Sequence, residues 1–337
     1  MYNIKIKSKI KDYELIFIDT LEYIIDISKN ENVITFVDEN VLRLYPKLNL
    51  VNPISIESIE SNKNFVGVDL IINHLMKRNA NINTKLIVIG GGIMQDLIGF
   101  CASIYARGVE YILVPTTLLS QADSCIGGKT SLNFTNRKNL LGTFYPPSSI
   151  LIYAEFINTL SKLDYVSGMG EIYKFYILNN DIVNFDINSN ITEMIYYGLK
   201  YKNDILSIDE FDKGERKFLN FGHTFGHALE STSEHYIPHG IAVIIGCMIA
   251  IMISKKLNYT VDNYGMIIDK GIELVNQSNL KFDKNWFNLN KLLEIIKSDK
   301  KSTGKLVMVL IDNKPFLKNI ENTKVLEEVL NEIYEII

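Results

Sequence analysis

The chain is short of the residues that announce a specialised architecture. Its 337 residues include one tryptophan, three cysteines, five histidines and seven prolines. Cys101, Cys125 and Cys247 are odd in number, far apart and free of CxxC spacing, which excludes a disulfide framework and a zinc knuckle. They read as buried thiols of a reducing compartment, the cytoplasm. Excess basic charge is also missing: a net charge of −4 and a pI near 5.8 give no global pull toward nucleic acid or an anionic membrane. The most apolar stretch, IAVIIGCMIAIMIS at 241–254, is too short and too interrupted by glycine and serine to span a bilayer, and reads as a buried core helix. The opening YNIKIKSKIKDYELIF alternates like a strand and lacks the apolar run of a signal peptide.

What is present is ordinary globular material, 47% hydrophobic and 22% charged, long enough for two domains and a core that needs no staples. The first half alternates strand and helix signals. NVITFVDEN (32–40), KLIVIGGG (85–92), EYILVPTTLL (110–119) and SSILIYAEF (148–156) are short β-branched runs, and VGVDLIINHLMKRN between the first two has helical spacing, a βαβ unit. Past residue 160, helical periodicity takes over at 163–178, 192–207, 224–233, 240–256, 261–278 and 289–298. KLVMVLID and KPFLKNI then form a strand pair ahead of a C-terminal helix. The expected architecture is an α/β domain over 1–157 followed by a mainly helical domain over 158–337.

Three stretches carry chemistry. Gly90, Gly91 and Gly92 follow a strand and precede a helix expected to start near Asp96. Such glycines let backbone N–H groups approach a diphosphate at a helix N-terminus, although GGGxxxD is not GxGxxG and also suits a tight strand–helix turn. VPTTLLSQADSCIGGKTSLNFTNRKNLLG (114–142) sets Thr116, Thr117, Gln121, Asp123, Lys129, Lys138 and Asn139 among apolar neighbours. It is an anion cradle without the Walker spacing, or a loop whose polar groups satisfy its own turns.

Histidine gives the third signal. His223, His227, His235 and His239, four of the five, fall within LNFGHTFGHALESTSEHYIPHG (219–240). His223 and His227 are spaced i, i+4 and share a helix face, and His239 follows a loop turned by Pro238 and Gly240. Two histidines with a carboxylate from elsewhere, for which Glu171 in SGMGEIYKF is placed, make an open zinc site. Spacing leaves open whether His223 or His227 is the ligand, and His235 suits an exposed surface. HExxH is absent, which excludes a zincin protease. Lys174, Lys202, Arg216 and Lys300–Lys301 individually read as solvated charges.

Together these segments resemble 3-dehydroquinate synthase and the wider sugar phosphate cyclases, in the family's order from about residue 32 to about 310. The matching pieces are Gly90–Asp96, Arg107–Gly108, PTTLLSQADSCIGGKT at 115–130, Arg137–Asn139, Gly168 to Lys174, Lys202 before Asp209–Glu210, RKFLNFGHTFGHALE at 216–230, His239–Gly240 and Asp299–Lys301. The resemblance implies a Rossmann-like domain binding NAD, a helical domain holding Zn2+ or Co2+, and an active site between them in a homodimer. It assigns Glu171, His223 and His239 to the metal, with His227 on the substrate. Catalytic and substrate positions are Arg107, Asp123, Lys129, Asn139, Lys174, Lys202, Arg216, Asn220, His227 and Lys300, with Arg107 crossing to the partner subunit. NAD positions are Glu60, Lys63, Gly91, Gly92, Asp96, Thr116, Thr117, Asp123, Lys129, Lys138, Phe156 and Thr159.

The implied reaction takes 3-deoxy-D-arabino-heptulosonate 7-phosphate to 3-dehydroquinate and phosphate by transient oxidation, elimination, reduction and aldol closure. The partner is a small sugar phosphate, with neither nucleic acid nor membrane. Three departures bear on the substrate. Gln95 stands for the family's glycine before Asp96, Ile241 for a carboxylate after His239–Gly240, and Arg137 for the glycine of GKN. A cyclase making an inosose or a valiolone is one alternative. A metal-dependent alcohol dehydrogenase is a second, although its loop after PTT is Gly/Thr-rich, and an inactive nucleotide-binding homologue is a third.

Overall fold

A computed structural model of the chain describes residues 2–135, 137–299 and 306–337. Two compact units divide it, residues 1–160 and 161–337. The strands of the first unit are β1 (Asn3–Ile6), β2 (Tyr13–Phe17), β3 (Val33–Asp38), β4 (Ile54–Ile56), β5 (Lys85–Gly90), β6 (Glu110–Pro115), a hairpin pair β7 (Leu132–Phe134) and β8 (Arg137–Leu141), and β9 (Ser149–Ile152). Seven of them form one sheet in the order β1-β2-β9-β6-β5-β3-β4, parallel except for β1 against β2. Its helices are α1 (Glu22–Ser28), α2 (Glu39–Leu44), α3 (Phe65–Lys77) and α4 (Gly92–Ile104).

The central strands are buried almost throughout, as their continuous Leu/Ile/Val runs require of a parallel sheet covered on both faces. The chain leaves β3 for β4 on one side and β5 for β6 on the other, so the winding reverses between β3 and β5. Strand C-termini at such a point open a crevice, and Gly90–Gly92 end β5 there. The helix after the glycines starts at Gly92, four residues before the expected Asp96. Gly90 ends the strand, and Gly91 and Gly92 serve as N-cap and first helical residue rather than as a separate loop.

The second unit contains α5 (Lys162–Leu178), α6 (Ile191–Ile208), α7 (His223–Thr232), α8 (His239–Lys256), α9 (Tyr264–Gln277), α10 (Leu289–Asp299), the hairpin β10 (Val307–Asp312) and β11 (Lys314–Asn319), and α11 (Thr323–Ile336). Helix α8 is its axis, packed against α5, α7, α9, α11 and β10. Every residue from Gly240 to Ser254 is buried. By length and composition α8 is the one helix among the described residues that could cross a bilayer, yet 83% of its apolar window lies inside the unit. A helix apolar on all sides is satisfied by burial on all sides. Cys101, Cys125 and Cys247 are free thiols, each buried.

Candidate functional site

Glycine contacts set the geometry of the second unit's polar centre. A Cβ on Gly170 would sit 2.2 Å from the Gly240 carbonyl oxygen, and one on Gly240 would sit 1.7 Å from that of Ser167. Helix α5 therefore crosses the start of α8 backbone to backbone, with the Gly240 N–H donating to Ser167 Oγ at 3.0 Å. This crossing brings Glu171, next to Gly170, against His239, next to Gly240. Gly222, at φ +78, makes the same kind of approach between α7 and α8, since a Cβ there would meet Cys247 Sγ at 2.5 Å. His223 begins α7 directly after it.

The result is a convergence of donors. Glu171 Oε1 lies 3.3 Å from His239 Nε2 and 3.5 Å from His223 Nε2. In both histidines the other nitrogen is engaged: His223 Nδ1 with the Phe221 carbonyl at 3.0 Å, His239 Nδ1 with Glu230 Oε2 at 2.9 Å. With Nδ1 so engaged, each ring faces the Glu171 oxygen through Nε2, the nitrogen that a metal ion would take in place of a proton. A tetrahedral ion with bonds of about 2.0–2.1 Å spaces its ligand atoms roughly 3.3–3.4 Å apart, which the Glu171 distances match. One carboxylate and two imidazoles also suit Zn2+ or Co2+ by donor type.

His227 completes a histidine trio whose ligand atoms all lie within 4.8 Å, but it is the exposed member. Its ring centroid is 5.2 Å from that of His223 and 5.6 Å from that of His239. The buried carboxylate closes one side of the centre and His227 borders the open one.

Charge at this centre is strongly coupled. Burial opposes ionisation of Glu171, yet Lys174 and the hydrogen bond with His239 outweigh it and hold the carboxyl well below its usual range. Burial and Lys174 push His223 well below the ordinary imidazole value. Burial also works against a proton on His239, but hydrogen bonds to Glu171 and Glu230 raise it to about 10. Lys174 is 2% exposed, paired with Glu171 Oε2 and set over the Phe175 ring.

Lys202 and Arg216 are buried in the same unit. Arg216 is turned inward by a loop stapled on Asp209, whose carboxylate accepts from the N–H groups of Lys213, Gly214 and Arg216, while its guanidinium donates to the Glu210 carbonyl. Asn220 ends the following 3₁₀ turn, exposed. Lys300 and Lys301 lie outside the described residues.

In the first unit a second network gathers expected residues. Lys63, 5% exposed, donates to Asp96 Oδ2 at 3.1 Å and Asn139 Oδ1 at 2.6 Å, and pairs with Glu60 at 3.5 Å. Ser131 Oγ lies 2.7 and 2.8 Å from the same Asp96 and Asn139 oxygens, able to donate to either. Asn133 links Glu60 to the Asn139 N–H. Burial raises Asp96, with Lys63 and Ser131 opposing. Gln121 is a brace, its amide donating to the Pro115 and Tyr153 carbonyls and joining the ends of β6 and β9. Asp123 sits on the π turn Ser120–Ser124, a distortion common at functional sites.

Thr116 and Thr117 follow β6, the Thr116 N–H bonding the Gly90 carbonyl at 3.2 Å. A Cβ on Gly91 would press Thr117 Cγ2 at 2.9 Å, and Gly91 caps α4 with no side-chain bond of its own. That bare helix N-terminus at the sheet's reversal fits a diphosphate. Phe156 is 1% exposed between Tyr45 and Tyr153, so any contact with a bound molecule falls to its backbone. Thr159, exposed, bonds Tyr45. Lys129, Lys138 and Arg107 are exposed, Arg107 in a left-handed turn at φ +66.

Two family models meet head to tail on this chain, "3-dehydroquinate synthase N-terminal" over residues 53–167 and "3-dehydroquinate synthase C-terminal" over 168–302. The chain belongs to the 3-dehydroquinate synthase family. The 3-dehydroquinate synthase of Clostridium tetani is 34% identical over 334 residues, spanning 92% of this chain and 87% of that one. Among solved structures, 2-deoxy-scyllo-inosose synthase complexed with carbaglucose-6-phosphate, NAD+ and Co2+ superposes with a TM-score of 0.83 at 22% identity, covering 98% and 100% of the two chains. The 2-epi-5-epi-valiolone synthase of Streptomyces hygroscopicus subsp. jinggangensis, with NAD+ and Zn2+ bound, gives 0.79 at 22% identity, covering 98% of each. Those two likenesses establish the sugar phosphate cyclase fold.

Sequence reasoning missed Glu230, Asp209 and Ser131. Glu230 and Asp209 were visible only as letters inside longer motifs.

Proposed function

We propose that this chain is a 3-dehydroquinate synthase, converting 3-deoxy-D-arabino-heptulosonate 7-phosphate to 3-dehydroquinate and phosphate with no net oxidation or reduction. The observation that carries the reading is the convergence of Glu171, His223 and His239, at 3.3 and 3.5 Å, in a chain of this family. These three would hold Zn2+, or Co2+ in its place. Gly91, Gly92, Asp96, Thr116, Thr117, Lys138, Thr159 and the backbone of Phe156, with Glu60 and Lys63 behind Asp96, are assigned to NAD. When bound, the metal would acidify a substrate hydroxyl and the dinucleotide would accept and return a hydride.

The protein's own groups bind, orient and neutralise. The substrate carries a phosphate and a carboxylate, so its recognition calls for charge-assisted donors. Lys129, Asn139, Arg216, Asn220, His227 and Lys300 are assigned to those anions by the family motifs they match, with Arg107 contributed across a homodimer. Lys174 keeps Glu171 ionised from its inner side, and Lys202 adds a buried cation. Asp123 is assigned to substrate hydroxyl orientation. A multistep reaction on one substrate depends on holding a single conformer, which several positioned donors favour. Three reduced, buried cysteines suit the cytoplasm.

The test is incubation of the protein with the heptulosonate phosphate, NAD and zinc, and identification of the product by NMR. Dehydroquinate supports the proposal. Turnover of a different sugar phosphate alone would replace the substrate, and His223→Ala retaining both zinc and full activity would discard the ligand set.

A further inference from the structure

The unpartnered amide of Gln95 lies at the dinucleotide end of the first unit. Gln95 is the fourth residue of α4, its N–H bonded to the Gly91 carbonyl at 3.1 Å. Long helical side chains lean back over the preceding turn, which here means toward Gly91 and Gly92. Its Oε1 accepts from Ser124 Oγ at 2.8 Å, and that hydroxyl lies 3.9 Å from where a Cβ on Gly92 would be. Ser124 is exposed, whereas Gln95 is 7% exposed. Gln95 Nε2 is buried and has no hydrogen-bond partner among the described residues.

A buried amide donor with nothing to donate to is an unfavourable state that needs a reason. Ser124 fixes the amide by donating to its oxygen, which leaves the NH2 group as the end without a use. Beside it the first-turn N–H groups of α4 lack a side-chain cap, because Gly91 offers none. Amide and helix end therefore share one deficit, an acceptor, and the helix end prefers that acceptor to be anionic. The family pattern has glycine at this position, and a glycine has no such donor.

We propose that Gln95 Nε2 donates to a phosphate oxygen of the dinucleotide seated at the N-terminus of α4. It is an additional cofactor anchor in which Ser124 sets the orientation of the amide. The inference rests on the reading that this unit binds NAD.

The test is calorimetric titration of the zinc-loaded protein with NAD, ADP-ribose and adenosine, for wild type, Gln95→Met, Gln95→Gly and Gln95→Glu. Gln95→Met keeps the volume and removes the donor. It should weaken NAD and ADP-ribose about tenfold and leave adenosine unchanged. Gln95→Gly should weaken both likewise, and Gln95→Glu, which turns a carboxylate on the phosphate, should weaken both further. Without ligand, Gln95→Met should melt above wild type, since the orphan donor is gone. Equal NAD and ADP-ribose affinity in wild type and Gln95→Met would overturn the proposal. So would an unliganded Gln95→Met that melts no higher than wild type, because Nε2 would then already have a partner. Wild-type protein that binds none of the three would instead take down the NAD reading of the unit itself, and this proposal with it.

Discussion

Glu230 does for His239 what the Phe221 carbonyl does for His223: it holds Nδ1, so that Nε2 faces Glu171. The two partners differ in charge. A carboxylate behind an imidazole raises its basicity as a ligand, and removing such a partner commonly costs about 10–100-fold in metal affinity. Glu230→Ala is therefore expected to weaken zinc by that order, read by competition with a chromophoric chelator, while the fold stays intact. Unchanged zinc affinity would show that the hydrogen bond does not tune the centre. Glu230 also answers the departure at Ile241. That residue is fully buried in α8 and offers no carboxylate, yet His239 keeps an acidic partner from α7. The pair was illegible in the sequence because residues 230 and 239 lie on different helices, and no helical spacing predicts their meeting. The meeting of Glu171, His223 and His239 was suggested mainly by their motifs, since i, i+4 spacing alone favoured neither His223 nor His227. Exposure separates them in the fold.

The helices of the second unit matter through where they touch. Gly170 and Gly240 let α5 and α8 cross at backbone distance, which sets Glu171 beside His239. A methyl group at Gly240 cannot fit at 1.7 Å from the Ser167 oxygen, and α5 must move. Gly240→Ala is expected to cost about 1–3 kcal/mol of stability, the range of forced overpacking, and to lose zinc with it. Urea denaturation and metal content check this, and wild-type values for both would contradict it. The sequence announced these helices well, 163–178 against the observed Lys162–Leu178 and 240–256 against His239–Lys256, because long periodic segments average out local noise. It did not announce β4, whose three residues are too few for a period. Nor did it show the β7–β8 hairpin, where Arg137–Leu141 is largely exposed and carries no apolar alternation. The glycines of Gly90–Gly92 read as a turn ahead of a later helix. Gly90 closes β5 and the helix starts at Gly92, with Gly91 in extended backbone as its N-cap.

At the scale of the whole molecule, the proposal makes stability depend on two ligands that bind only the folded chain. A ligand at a hundredfold over its dissociation constant adds about 2.7 kcal/mol to folding. Zinc removal by a chelator should lower the melting temperature, and zinc added back should restore it. Melting that ignores the chelator would contradict a metal at Glu171, His223 and His239. Fold class was readable from the switch between strand–helix alternation and pure helical periodicity near residue 160. Substrate identity was not, because departures such as Gln95 and Ile241 change single contacts while the architecture is shared with inosose and valiolone synthases.

The most direct measurement follows phosphate release and NADH absorbance together, in one reaction of the protein with 3-deoxy-D-arabino-heptulosonate 7-phosphate, zinc and a trace of NAD. The proposal predicts many phosphates released per NAD present, one per substrate consumed, with no lasting rise in NADH. Phosphate release that stops at the amount of NAD added, with NADH accumulating in step, would contradict it and mark the chain as a dehydrogenase.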